Sequence, residues 1–78
     1  MSPKVGEVAG IEVSIKSAEH GSPHVHGFYQ GNKVKIFIET LTVESGKLPP
    51  KQTKKLMKWI EENEEYLLEQ WNAIVYSP

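Results

Sequence analysis

The sequence predicts an α+β domain: a small antiparallel sheet of three to four strands, then a C-terminal helical segment bent or broken near Asn63. Three observations predict it. Residues 11–16 alternate between apolar and polar, the period of a half-buried strand. The stretch HVHGFYQGNKVKIFIE carries a hairpin signal at Gly31-Asn32. Beyond Pro49-Pro50 the apolar residues recur at helical spacing.

Taken in chain order, Val5–Val8 suits a short first strand, and Gly10 a turn. In the next strand Ile11, Val13 and Ile15 share one face, with Glu12, Ser14 and Lys16 on the other. A two-residue loop at Gly31-Asn32 would be a type II′ turn, with Gly31 supplying the positive φ. That register sets Tyr29 across from Val34, Gly27 from Ile36 and Val25 from Ile38, all on the core side. The other side then pairs His24 with Glu39, His26 with Phe37, and Phe28 with Lys35, so the imidazoles point away from the interior. The strands occupy about residues 4–39, and Thr40–Leu48 reads as a flexible loop.

The helical region covers about residues 50–76, with Pro50 suited to the first helical position. Leu56, Ile60, Leu67, Trp71 and Ile74 make its apolar stripe, with Asn63 on the same face. One straight helix would be about 39 Å long, against about 20 Å for a six-residue strand. The mismatch predicts an interruption at Asn63, whose side chain could cap a second helix that begins with Glu64 and Glu65. Trp59, Tyr66, Trp71 and Tyr76 are expected to pack the helices.

Residues 1–78 are expected to form one small domain with a thin core, at 38% apolar residues. The formal net charge is -1, so bulk electrostatics favour neither nucleic acid nor membrane. All cations are Lys and all anions Glu. Without Arg there is no bidentate fork for phosphate or guanine, which argues against a dedicated nucleic-acid reader. Without Cys there are no disulfides, zinc-thiolate sites or thiol nucleophiles. No apolar run approaches a membrane span and no leader segment is apparent, so a cytoplasmic location is expected.

Every histidine lies in EHGSPHVHG, residues 19–27. Spaced two apart on a strand, His24 and His26 project to one face, roughly 6.6 Å apart along the backbone. His20 and Glu19 come from the preceding loop, so Glu19, His20, His24 and His26 are candidate metal ligands. Glu39 could be a further ligand or an acceptor that orients His24. Such a donor set suits Zn, Ni, Cu or Fe(II), and a catalytic metal would keep one position open for water. Without a metal, His24 and His26 could act as general acid and base on RNA, with Glu39 as a further catalytic candidate. The third reading is a polar turn built on Gly21, Ser22 and Pro23.

Two further groups are candidate contacts for a partner or an anion. Lys51, Lys54, Lys55 and Lys58 form a basic stripe at the start of the helical region, where cations oppose the helix dipole. The alternative is a solvated face balanced by Glu61 and Glu62, for instance through Lys58 and Glu62. Phe28 and Phe37 would leave an apolar patch on the histidine side unless residues 1–9 fold over them.

Glu19, His20, Pro23, His24 and His26 make a Glu-His-x-x-Pro-His-x-His signature. Ile-Glu-Glu-Asn stands at residues 60–63, and Leu-x-x-Trp at residues 68–71. With these motifs the chain, over roughly residues 5–75, resembles the small prokaryotic family called domain of unknown function 4160. The Pro-Pro helix start departs from the Ser found there in other members. The resemblance implies a short cytoplasmic single domain, encoded beside another small protein in a toxin–antitoxin-like arrangement. It carries no catalytic role onto any residue. Together these readings lead to the expectation of a partner-binding protein, one component of a toxin–antitoxin-like or regulatory pair, with the histidine face as its functional surface. Self-association through that face is a variant of the same reading. The alternative is a metal-dependent or His-based hydrolase, such as a ribonuclease.

Overall fold

A computed structural model describes residues 3–17 and 20–76. Its elements are β1 (Lys4–Val8), β2 (Ile11–Ser14), β3 (His24–Tyr29), β4 (Asn32–Phe37), β5 (Val43–Gly46), α1 (Pro50–Glu62) and α2 (Glu64–Val75). The strands form one antiparallel sheet in the order β1-β2-β3-β4-β5. The class is α+β, with five strands where three to four were expected. The additional strand, β5, falls inside Thr40–Leu48, the expected loop. All four of its residues are exposed, so it has no buried face to impose an alternating pattern.

The apolar alternation places its residues in the core as expected, while Ser14 and His24, read onto the other face, are buried as well. Ile11, Val13, Val25, Val34, Ile36 and Ile38 are buried on one side, where Leu56, Ile60, Leu67 and Trp71 of the helices complete the core. Burying such side chains supplies about 1.5–3 kcal/mol each, the main term that holds so small a domain together. Gly6 contributes by being small. A Cβ there would lie 2.5 Å from Cζ2 of Trp59, so the indole of α1 rests directly on the β1 backbone. From α2, the Tyr66 hydroxyl donates to the Val5 carbonyl at 2.9 Å.

The β3–β4 hairpin differs from its expected register. Its two-residue loop is Gln30-Gly31, with φ of 44° and 82°, and Tyr29 pairs with Asn32. Positive φ at both positions makes this a type I′ turn, whose twist matches that of the strands. The observed pairs are His24 with Phe37, Val25 with Ile36, His26 with Lys35, Gly27 with Val34 and Phe28 with Lys33. The loop lies one residue earlier, so each cross-strand partner changes by two positions. A two-residue change keeps every side chain on its face. The core assignment of Val25, Val34, Ile36 and Ile38 therefore survives while the predicted partners do not.

Pro50 opens α1 as expected, and the Thr53 hydroxyl donates to the carbonyls of Leu48 and Pro49. Asn63 stands between the helices, but it does not cap α2 with its side chain. Its Nδ2 donates instead to the Trp59 carbonyl at 2.8 Å. The same carbonyl also accepts the Asn63 backbone N–H at 3.0 Å, so the carboxamide adds a second donor to it at the end of α1. Glu64 and Glu65 occupy the first turn of α2, favourably placed for its dipole. No helix among the described residues is long and apolar enough to cross a membrane.

Candidate functional site

The described histidines stand in different surroundings. Glu19 lies outside the described residues, and His20 is exposed in the loop before β3. His24, the first residue of β3, is only 1% exposed. Its ring lies 4.8 Å from that of Trp71, 6.2 Å from that of Phe37 and 5.3 Å from that of His26. The expectation that both imidazoles point away from the interior therefore fails for His24, which α2 covers through Trp71. Burial of this polar ring is compensated in part by Nδ1–H, which donates to the Ser22 carbonyl at 2.8 Å. That bond places a proton on Nδ1, so in neutral His24 Nε2 carries the lone pair. His26 is half-buried and faces the side of the sheet away from the helices.

Glu39 is not opposite His24, because the hairpin register gives that place to Phe37. It is exposed after β4, where it lines a depression with Ser22, Pro23, Phe37, Thr40 and Thr42. Among the described residues no three His or Glu side chains gather as a metal-holding group. General acid–base work by a histidine pair requires both rings to reach the substrate. His26 borders an open groove; His24 is sealed beneath Trp71 and Phe37.

Two of the other concavities take in some of the remaining candidate residues. The first, about 320 Å³, opens on the sheet face away from the helices and is lined by Lys16, His26, Phe28, Lys33, Lys35 and Ser45. Phe28 is 42% exposed there, while Phe37 is half-buried against His24. Residues 4–8 do not fold over these rings, because they form β1 beside β2 in the plane of the sheet. The Lys35 ammonium pairs with Glu44 at 3.1 Å.

The second concavity, about 520 Å³, lies between the β4–β5 edge and the start of α1. Val34, Val43, Leu48, Pro50 and Met57 give it apolar walls, with Lys47 and Lys54 also in the lining. Sequence reasoning missed this cleft because one wall is β5. Lys51, Lys54, Lys55 and Lys58 are all exposed, and the first turn of α1 holds no acidic residue. Among the described residues none of the four forms an ion pair with Glu61 or Glu62.

A family model described as Domain of unknown function (DUF4160) matches residues 10–72. The chain belongs to that family. The DUF4160 match runs from the β1–β2 turn to Asn72, so it takes in the histidine segment, both concavities and Trp71. No curated protein and no solved structure matches the chain.

Proposed function

We propose that this protein is a partner-binding module of the cytoplasm, one half of a toxin–antitoxin-like or regulatory pair. The cleft between β5 and α1 seats the partner. One observation carries the reading: an apolar cleft lies directly beside an exposed edge strand, and Val43 of that strand is 39% exposed. An edge strand offers a row of backbone donors and acceptors to an incoming chain. A pocket beside it accepts alternate side chains of that chain, as in recognition by strand addition.

Charge selects the occupant. Lys47 and Lys54 line the cleft, and Lys51, Lys55 and Lys58 extend the positive field along α1. The fitting partner is a small acidic protein with an extended segment in which apolar and acidic residues alternate. Its apolar residues fill the cleft, and its carboxylates meet the lysines. Binding also relieves the opposition between these cations and the α1 dipole.

Co-expression with the product of the adjacent gene tests the reading. A stable complex is expected on size-exclusion chromatography, and Val43→Asp or Lys54→Glu should weaken it by about tenfold or more. A protein that purifies alone under every condition overturns the proposal, as does a complex indifferent to both substitutions.

A further inference from the structure

The groove on the opposite face of the sheet has a different chemistry and a different use. β3 is the middle strand of five. Two successive same-face rungs of the β3–β4 ladder each set a ring opposite an ammonium: Phe28 against Lys33, and His26 against Lys35. Both rungs line the 320 Å³ groove, and Lys16 joins them beyond the end of β2. Side chains opposite each other on an antiparallel pair stand close enough to act together. The rungs repeat at about 6.8 Å along the strand, a spacing that suits successive residues of an extended polynucleotide.

We propose that this face binds single-stranded nucleic acid, with a base stacked on Phe28 and the flanking phosphates held by Lys16, Lys33 and Lys35. The inference stands apart from the partner reading, since it uses the other face of the sheet and none of the cleft lysines. An exposed aromatic ring beside lysines is what sequence-tolerant single-strand binding needs. The lack of Arg does not weaken it, because stacking and point charges replace bidentate base reading. A duplex buries its base faces and cannot stack on Phe28. The net charge of -1 means that no bulk field attracts polyanions, so any affinity arises from this local cluster.

Among the described residues, two carboxylates stand beside these rungs. Glu44 pairs with Lys35, and Glu12 stands opposite Phe28 across the β2–β3 ladder. Removing Glu44 frees Lys35 for a phosphate, and the sign of that effect is specific to an anionic ligand.

The test uses the full chain and a fluorescein-labelled oligouridine of about 12 nucleotides, with the matching oligothymidine and a duplex of equal length, read by anisotropy at low salt. Saturable binding to either single strand and weaker binding to the duplex are expected. Phe28→Ala should weaken binding by about tenfold, the usual value of one stacked base. Lys33→Glu should weaken it and lower the salt dependence by roughly one ion. Glu44→Gln should strengthen binding, and it leaves the fold intact because its side chain is exposed. Circular dichroism of each variant reports folding. No binding at about millimolar protein overturns the proposal. So does a preference for duplex, or affinity unchanged by Phe28→Ala together with affinity unchanged by Glu44→Gln.

Discussion

The imidazole of His24 and the indole of Trp71 lie 4.8 Å apart with their planes at 59°, and both side chains are buried. This contact joins the start of β3 to α2 and ties one residue of the histidine motif to the core rather than to solvent. His24→Ala should remove the ring packing and the Nδ1–H bond to Ser22 together. The expected cost is about 2–4 kcal/mol, a fall in Tm of roughly 10 °C or more for a domain of this size. Thermal melting followed by Trp fluorescence measures it. A Tm within a degree or two of the parent would show that His24 does not hold α2 in place.

Gly6 and Trp59 give a second test. A methyl group at position 6 would stand 2.5 Å from Cζ2 and 2.7 Å from Cη2 of Trp59. No unstrained contact is that short, and the far atoms belong to a rigid ring. Gly6→Ala should therefore push the indole off β1 and cost about 1–3 kcal/mol, as over-packing does. Urea unfolding monitored by circular dichroism should show a lower midpoint with an unchanged slope.

The hairpin turn predicts a gain instead of a loss. Gln30 sits at φ 44°, a conformation that costs a non-glycine residue about 1–2 kcal/mol. Asn tolerates it better, and Asn-Gly is the preferred pair for a type I′ loop. Gln30→Asn should raise stability by about 0.5–1 kcal/mol. A destabilised variant would mean that the turn is not at Gln30-Gly31.

Much of the fold was legible because it rests on periodicity. Ile11, Val13 and Ile15 announce a strand with one buried face, and Leu56, Ile60, Leu67 and Trp71 announce a helix stripe. The class and the core face follow from those two patterns. β5 was hidden because Val43–Gly46 buries nothing; only its partner strand makes it a strand. The register was ambiguous because Gly31 can serve either of two loops, Gln30-Gly31 or Gly31-Asn32, and local sequence does not choose between them.

The histidine segment was legible as a motif but not as geometry. His24 and His26 do stand two apart on β3, yet one is sealed under Trp71 and the other borders a groove. Nothing near residue 24 in the chain signals the ring that covers it. Likewise the bond from Tyr66 to Val5 spans 61 residues, beyond the reach of any local pattern. The two concavities depend on such distant neighbours, and for that reason only their separate residues could be picked out beforehand.

Because each strand pairs with its immediate predecessor, the sheet can zip up hairpin by hairpin during synthesis, with little entropy spent on closing long loops. Its greasy side then waits bare until residues 50–76 leave the ribosome and settle onto it. A message cut short near residue 48 would release a chain able to form strands but unable to shield them, a species prone to clump rather than persist.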